Sequence, residues 1–575
     1  MYRKFAKPVA VVLVLALVVA LGAVAGCKPS TPASSGGSST TSASQPVKGG
    51  VLSFYIGEPA YIDPYNTQES EGTQVEAALF DSLTQIDSLK PELVLPAAAT
   101  TWTVNSDATV WTFKLNPSDK FHDGTPVTAN DFIYAWNRIA NPKTINTATK
   151  KSDPSIISYH LSVVKGYDEV QKGTTPSMSG LKALDPLTLQ VTLSQPFADF
   201  DYVVAHPALA PVPQKAVEGG VDYQGKKVPF GEMPIGNGPF KMSAPWQHNQ
   251  AINVVRNDDY YGKKPYLDGV AFKIFKDPET AYTDFQAGNL DFTQITTGKI
   301  KADVAQYGES PNGYTVNPGQ QVLLGAENST YYLILNNKDP YLKNANLRKA
   351  ISLAINRQAI CDTIFEGTRI PADNIVPPGI AGYTAGAWKD AKYDKAAAET
   401  ALTAAGYPGG KGLPTLTLSF NSGGGHEQIM ALIQADLKAI GVNTTFASAD
   451  FPTYLKQLDA GKFQIARLGW QADYPIMDNF IYPLFDSQST DNKSFYVNAQ
   501  VDSGISAARA TTDRTARLAA YNTVNDQIQS TDPVAPIMFY RHHHIGSSRV
   551  HELTYSAQGI ADFTTPWLTN GGATK

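Results

Sequence analysis

The chain has 575 residues, of which 42% are hydrophobic, so it can bury a sizeable core and form two or more domains. Its formal net charge of −5, with no basic run after the first seven residues, argues against nucleic acid as a partner. The two cysteines are not expected to pair, because Cys27 has a different predicted role and Cys361 fits a small buried apolar position.

The N-terminal region has the composition of an export signal followed by a tether. Positive charges precede an apolar run over 9–26, which is typical of a secretory signal. The ending Val-Ala-Gly-Cys resembles a bacterial lipobox, and this resemblance implies cleavage before Cys27 and its acylation. An uncleaved signal anchor is the alternative. We expect a lipoprotein signal peptide over 1–26 and a flexible Ser/Thr-rich tether over 27–47, holding the protein on the extracytoplasmic face of the cell membrane.

The first folded segments predict strands, tight turns and a capped helix. Residues 49–56 and 111–115 have the apolar patterns of strands. Thr128, with Asp131 three residues later, forms a variant of the capping box and predicts the start of a helix. Residues 141–180 have no clear pattern.

Apolar residues at helical spacing predict a helix in the second half of the chain. They follow the template i, i+3, i+4, i+7, i+8 at Leu347, Ala350, Ile351, Ala354 and Ile355. If the helix continues, Cys361 returns to the face of Leu347 and is buried there.

The segment 416–474 predicts a βαβαβ unit. Strands are expected at 416–420, 442–446 and 463–468, with helices between them, so the strands should be parallel and the crossovers right-handed. Gly469 is expected to let the backbone leave the sheet, so that 470–474 forms a loop. In such sheets ligands bind beyond the carboxyl ends of the strands, where two loops of this unit converge.

Four motifs resemble those of the oligopeptide- and dipeptide-binding lipoproteins of ABC importers, the family 5 extracellular solute-binding proteins. They are Gly-Gly-x-Leu with Glu-Pro and Ile-Asp-Pro at 49–64, Phe-His-Asp-Gly-Thr-Pro-Val-Thr-Ala-Asn-Asp-Phe at 121–132, Pro-Ile-Gly-Asn-Gly-Pro-Phe at 234–240, and Arg-x-x-Trp-x-Ala-Asp-Tyr at 467–474. The resemblance covers most of the chain from Gly49 onward. It implies an α/β, two-lobed periplasmic-binding-protein-like (type II) fold with mixed sheets, an extra subdomain in the first lobe and a hinge between the lobes.

The resemblance also implies how the chain is divided. We expect lobe I to comprise 48–81, 210–335 and 541–575, with an accessory subdomain of lobe I at 82–209. Lobe II is expected at 336–540.

The resemblance implies a set of ligand-binding residues. They are Asp473, Trp470, Tyr474, Arg467, Asn421, His426, Glu69 and Ser70. By the family pattern, Asp473 would hold the free α-ammonium of a peptide, and Arg467 or His426 would contact its carboxylate end. The alternatives are a core Trp470 beside an Asp473–Arg467 ion pair, a His426 that merely lies near a helix start, and a solvated loop at 68–70.

An enzyme is the main rival class, but the chain has no zinc-protease, nucleophile-elbow or phosphate-loop motif. His542 and His544 share a face of a predicted surface strand, with no third ligand nearby, so we expect neither a metal nor a cofactor. The expected function is capture of oligopeptides for an ABC-type permease by a monomer. The alternatives are a non-peptide solute (oligosaccharide, nickel complex or haem) or a peptide-sensing receptor.

Overall fold

The computed structural model describes residues 45–67, 69–296, 298–422 and 425–569. The predicted signal peptide at 1–26, the lipidated Cys27 and most of the tether at 27–47 therefore lie outside the described residues. Within the described part, no helix is long and apolar enough to cross a membrane.

The α-helices, in chain order, are α1 (Ser70–Leu79), α2 (Ala129–Ala140), α3 (Tyr167–Gln171), α4 (Phe200–Val203), α5 (Gln214–Gly219), α6 (Pro278–Gln286), α7 (Ile300–Tyr307), α8 (Ala345–Ala354), α9 (Arg357–Phe365), α10 (Lys395–Ala404), α11 (His426–Ala439), α12 (Phe451–Asp459), α13 (Asp478–Phe485), α14 (Ala499–Ala510) and α15 (Arg514–Gln529).

The strands, in the same order, are β1 (Val51–Ile56), β2 (Thr84–Ile86), β3 (Val94–Pro96), β4 (Ala99–Val104), β5 (Val110–Leu115), β6 (Leu181–Asp185), β7 (Thr188–Thr192), β8 (Val221–Tyr223), β9 (Lys226–Val228), β10 (Phe240–Met242), β11 (Ala251–Arg256), β12 (Gly269–Ile274), β13 (Phe292–Gln294), β14 (Thr315–Val316), β15 (Val322–Leu323), β16 (Ala326–Leu335), β17 (Ile370–Pro371), β18 (Leu416–Asn421), β19 (Thr444–Ala449), β20 (Ile465–Gln471), β21 (Val534–Arg541), β22 (His544–Gly546), β23 (Val550–His551), β24 (Leu553–Tyr555), β25 (Ala561–Asp562) and β26 (Trp567–Leu568).

Two large mixed sheets form the centres of the two lobes. One has the strand order β10-β11-β12-β1-β13-β22-β15, and the other has the order β17-β21-β16-β20-β18-β19. The chain crosses between them twice, from β15 to β16 and from β21 to β22. The predicted boundary after residue 335 would put β16 in the first lobe, whereas β16 pairs with β20 and β21 in the second sheet.

A third sheet, with the order β4-β5-β7-β6, is built entirely from strands within 82–209. Its buried aromatic residues share one core with the first lobe, in which Phe54, Phe113 and Trp136 are almost fully buried. This sharing explains why an accessory subdomain stays attached to the first lobe.

Alternate side chains of β16 face two separate hydrophobic cores of the second lobe. Tyr331, Leu333 and Leu335 face α8, α9, α10 and α11, whereas Tyr332 and Ile334 face α12 to α15. Both faces of the sheet are therefore covered by helices, which is why the second half of the strand, 331–335, has no charged residue and alternates between two buried faces.

The βαβαβ prediction is confirmed. β18 is parallel to both β19 and β20, and α11 and α12 supply the crossovers. Gly441, which follows α11, has a φ of +89°, and a Cβ there would lie 2.2 Å from the carbonyl oxygen of Gly409. Only glycine fits this close turn.

The predicted continuous helix through Cys361 is wrong. α8 ends at Ala354, and α9 starts at Arg357 after a new cap, in which the Asn356 side chain accepts a hydrogen bond of 3.0 Å from the Ala359 N–H. The apolar spacing continues across this break, so the pattern alone could not reveal it. Cys361 is nevertheless fully buried, as predicted.

Candidate ligand-binding cleft

A cavity of about 810 Å³ lies between the first lobe and the end of β20. Three of the predicted ligand-binding residues line it: Glu69, Ser70 and Asp473. Glu69 precedes α1, and its carboxylate accepts hydrogen bonds from the backbone N–H groups of Ala60 (2.8 Å) and Tyr61 (3.3 Å). The loop at the start of α1 is therefore an ordered cavity wall.

Asp473 follows β20 and is held at both its backbone and its side chain. Its N–H donates to Asn479 Oδ1 at 3.1 Å, and its carbonyl accepts from Gln558 at 3.4 Å. The carboxylate accepts one hydrogen bond on each oxygen, from the Tyr159 hydroxyl (2.9 Å) and from Asn479 Nδ2 (3.0 Å). These hydrogen-bond donors are neutral, so they orient the carboxylate without cancelling its charge.

Further neutral groups surround this carboxylate. The rings of Tyr159 and His160 lie 4.2 Å apart, and those of His160 and His206 lie 4.7 Å apart. Burial lowers the pKa of both histidines to about 3, so both imidazoles are uncharged at neutral pH. Tyr159, His160 and His206 come from 82–209 and were not foreseen from the sequence.

Trp470 does not lie on the cavity wall. β20 continues to Gln471, so the predicted exit from the sheet at Gly469 is wrong, and Trp470 pairs with Thr330 inside the sheet. Its ring packs against the second-lobe core, and its Nε1–H donates to Asn479 Oδ1 at 3.1 Å. Trp470 therefore supports Asn479, a residue that the sequence analysis missed.

Tyr474 also points away from the cavity. Its side chain packs against the core of the first lobe, with its ring 6.3 Å from that of His160. Directly after Asp473, the chain of the second lobe therefore contacts the first lobe through Tyr474.

A second polar cluster lies on the other face of β20. Arg467 Nη1 donates to Asn421 Oδ1 at 2.9 Å, and its guanidinium carbon lies 4.9 Å from the centre of the Tyr331 ring. The His426 and Tyr331 rings are 5.8 Å apart. The alternative in which Arg467 pairs with Asp473 is thus not realised. The two groups lie in different clusters.

Three buried polar atoms of this second cluster have no hydrogen-bond partner among the described residues: Arg467 Nε, His426 Nδ1 and the Tyr331 hydroxyl. Burial, and then the charge of Arg467, lower the pKa of His426 to about 4, so its imidazole is neutral at pH 7. A guanidinium and a phenol with unused donors form a suitable site for an anion.

The prediction that His542 and His544 share a face of a surface strand is wrong, because β21 ends at Arg541 and β22 begins at His544. His542 is 1% exposed, and His544 packs between Phe292 and Tyr555, with ring centres 5.5 Å and 4.6 Å away. His542 is buried and His543 and His544 are half-buried, because the chain crosses between the two large sheets here. Among the described residues, no group of three or more His, Cys, Asp or Glu side chains is arranged to hold a metal.

Comparison with known proteins agrees with the sequence motifs. Residues 94–492 match the family described as bacterial extracellular solute-binding proteins, family 5, middle region. The chain belongs to this family. Family 5 consists of extracytoplasmic solute-binding proteins and not of enzymes, so the match identifies the class of function.

Two curated relatives illustrate the range of family 5. The chain is 30% identical to the periplasmic oligopeptide-binding protein OppA of Escherichia coli (strain K12), over 83% of this chain and 85% of that protein. It is 28% identical to the probable deoxycholate-binding periplasmic protein YgiS of the same organism, over 84% of this chain and 86% of that protein.

Solved structures of family 5 confirm the predicted two-lobed type II fold. The murein tripeptide-binding protein MppA in its unliganded open form superposes with a TM-score of 0.77 at 26% identity, covering 91% of this chain and 98% of that chain. A second structure of MppA, from Escherichia coli, gives 0.68 at 26% identity, covering 91% and 99%. The TM-score is thus higher with the unliganded open form of MppA than with this second structure.

Proposed function

We propose that this family 5 protein binds oligopeptides outside the cytoplasmic membrane and delivers them to an ABC-type permease. The carboxylate of Asp473 carries the proposal: it faces the cavity, and its hydrogen-bond donors among the described residues are neutral. Removing such a charge from water is costly unless a cation meets it. The free α-ammonium of a peptide supplies that cation, with charge-assisted hydrogen bonds.

The rest of the cavity supports a cationic or zwitterionic ligand. Glu69, Asp81, Asp87 and Asp562 also line it, and none of the described lining residues is lysine or arginine. Its volume of about 810 Å³ lies within the range usual for ligand pockets. An anionic steroid would meet like charges here, and a neutral sugar would leave Asp473 without a counter-charge. These observations favour a peptide over either solute.

We assign the carboxylate end of the peptide to the cluster of Arg467, Asn421 and His426. The unused donors of Arg467 and Tyr331 support this assignment, because a carboxylate would satisfy both. The two clusters lie on opposite faces of β20, so the peptide would pass the end of this strand. Hydrogen bonds to the peptide main chain would then give affinity that depends little on side chains.

The membrane attachment is part of the proposal. Acylation of Cys27 would keep the protein at the membrane as a lipid-anchored monomer near the permease. Mass spectrometry of the membrane fraction should find a lipid-modified Cys27 at the new N-terminus. Release of the Cys27→Ala variant into the medium or periplasm would support the anchor, and unchanged membrane retention would contradict it.

The proposed function is tested by calorimetric titration of the chain from Pro46 onward, which forms one compact unit. Bound ligand is first removed by unfolding and refolding. A tetrapeptide with a free amino terminus is compared with its N-acetylated twin. Tight binding of the first and weak binding of the second is expected. Equal binding of both, or binding of neither, would contradict an ammonium site.

A further inference from the structure

The lobes also meet at a place away from the two hinge crossings and from Asp473. Here three arginines of the second lobe, Arg509, Arg514 and Arg517, contact the segment 197–202 of the accessory subdomain. We call this contact the arginine clasp.

The centre of the arginine clasp is a buried ion pair between Arg517 of α15 and Asp199. Arg517 Nε donates to Asp199 Oδ1 at 2.9 Å, and Nη2 lies 2.7 Å from the same oxygen. The two side chains are only 6% and 7% exposed. Arg517 Nη1 donates to the carbonyls of Thr511 and Thr512 at 2.8 Å and 3.0 Å, so the guanidinium is fixed in orientation.

Arg509 of α14 extends the arginine clasp toward the cleft. Its guanidinium carbon lies 4.5 Å from the ring centre of Phe197 in the accessory subdomain and 4.1 Å from that of Tyr482 in the second lobe. Its carbonyl accepts a hydrogen bond of 2.8 Å from the Ala198 N–H. Aromatic rings of both lobes thus enclose one cation.

A short segment connects the clasp to the ligand carboxylate. Asp478, at the start of α13, lies 3.3 Å from Arg509 Nε and accepts from the Tyr521 hydroxyl at 2.9 Å. The next residue, Asn479, holds both the N–H and the carboxylate of Asp473. Between Asp473 and Asp478 in the chain, Ile476 is 5% exposed and packs in the core of the first lobe.

The accessory subdomain holds the other side of the same carboxylate. Tyr159 and Asp199 both belong to 82–209, and the Tyr159 hydroxyl donates to Asp473 Oδ1 at 2.9 Å. Keeping this donor in place requires the subdomain to stay against the second lobe. The arginine clasp is a buried contact that does so, in addition to Ile476, which packs in the core of the first lobe.

We propose that the arginine clasp assembles the ammonium end of the cleft before a peptide arrives, with Arg517 and Asp199 as positioning residues for Asp473. The inference rests on the proposed peptide-binding function. It follows from the fact that the clasp and the Tyr159–Asp473 contact coexist in a structure that is similar to MppA in its unliganded open form, with a TM-score of 0.77. An assembled site binds more tightly, because less freedom is lost when the ligand enters.

The first test replaces the ion pair by neutral groups with the double variant Asp199→Asn/Arg517→Met, which leaves no unpaired buried charge. Affinity is measured for a free-amino tetrapeptide and its N-acetylated twin. We expect the preference for the free amino group to fall about tenfold, which is in the usual range for coupled sites. Adding Asp473→Asn to the double variant should remove the remaining preference of roughly tenfold, which is less than the roughly 100-fold that the same substitution removes from the wild-type chain. The exposed pair Lys395–Glu399 on α10, replaced by Met and Gln, is the control and should leave the preference unchanged.

The outcomes separate the inference from the proposed function. If both peptides weaken equally in the clasp variant, the clasp is only a structural brace and the inference is wrong. If the wild-type protein does not distinguish the two peptides, both the inference and the proposed function fail. The milder variant Arg517→Lys, which keeps the charge but loses the two-donor geometry, takes the place of the double variant if that does not fold, and a smaller fall in preference is then expected.

Hydrogen exchange of the wild-type protein gives a second test without any variant. The N–H groups of Ala198 and Asp473 should be protected in the ligand-free protein, because their acceptors belong to the clasp and to Asn479. Protection of both groups that develops only after peptide is added would overturn the inference.

Discussion

The two polar clusters on either side of β20 differ in how complete they are. Around Asp473, each carboxylate oxygen has a donor, and Asn479 bonds to both the backbone and the side chain of that aspartate. Around Arg467, three buried polar atoms lack partners among the described residues. A buried polar atom without a partner costs free energy until a ligand or water satisfies it. The proposed ammonium end thus has its polar contacts already formed, whereas the proposed carboxylate end has polar atoms that a ligand would satisfy.

The largest expected effect is at the assembled end. Asp473→Asn keeps the shape of the side chain but removes the counter-charge of the ammonium. We expect a loss of about 3 kcal/mol in peptide binding, or roughly 100-fold. Calorimetry measures it, with Asp526→Asn on the exposed face of α15 as the control. An affinity within twofold of the wild type would contradict the role of Asp473.

The second effect concerns acid stability at the same end. Burial lowers the pKa of His160 to about 3. As the pH falls below about 6.5, His160 therefore takes up a proton in the unfolded chain but stays neutral in the folded chain. Stability should therefore fall as the pH decreases from 6.5 toward 3. Between pH 7.5 and 4.5 this one group contributes a loss of about 2–3 kcal/mol.

Urea unfolding at both pH values checks this expectation, with His160→Gln losing less stability in acid than the wild type. His248 provides a control of opposite sign. Partial burial lowers its pKa, but the hydrogen bonds to Glu58 and Glu232 outweigh this, and the net pKa is raised. His248→Gln should thus lose slightly more stability in acid. Identical profiles for wild type and His160→Gln would show that His160 is not a buried neutral group.

A third effect is expected at the incomplete end. Arg467→Met removes the cation proposed to meet the carboxylate of the peptide, and we expect about 1.5 kcal/mol, or roughly tenfold, weaker binding. The matched ligand is the same peptide with a C-terminal amide, which should bind wild type and variant about equally. If amidation and the substitution weaken binding independently, the carboxylate lies elsewhere.

The smallest effect tests whether Trp470 supports Asn479 or contacts the ligand. Trp470→Phe deletes the N–H that donates to Asn479 but keeps an aromatic ring in the core. We expect binding to weaken by about 0.5–1 kcal/mol, as for one neutral hydrogen bond. Titration with the free-amino peptide measures it. A loss greater than about tenfold would mean that Trp470 touches the ligand itself, as the motif first suggested.

Local patterns in the sequence predicted much of the second lobe. The alternation of strands and helices over 416–471 defined a parallel unit, and the position of Asp473 after its last strand placed a carboxylate at the cleft. Strand length was not predictable to within three residues, because Gly469 stays extended inside β20. This error moved Trp470 from the core to the predicted cavity wall.

The partners of Asp473 from other regions could not be predicted. Tyr159 is 314 positions away in the chain and lies in a region without apolar periodicity. The pair of Asp199 and Arg517 is separated by 318 positions. Neither contact has a local signature, since both depend on how the accessory subdomain rests against the second lobe. Only Asn479, six residues after Asp473, is close enough in the sequence to be found from the motif.

The buried Cys361 has a practical consequence for optical measurements. Its thiol is fully buried, and burial raises its pKa to about 12, so it stays protonated and shielded from alkylating dyes. A fragment that starts at Pro46 lacks Cys27 and therefore offers no other thiol. One cysteine placed on the surface of each lobe would then accept a donor and an acceptor fluorophore, and single molecules could report the movement of the lobes directly.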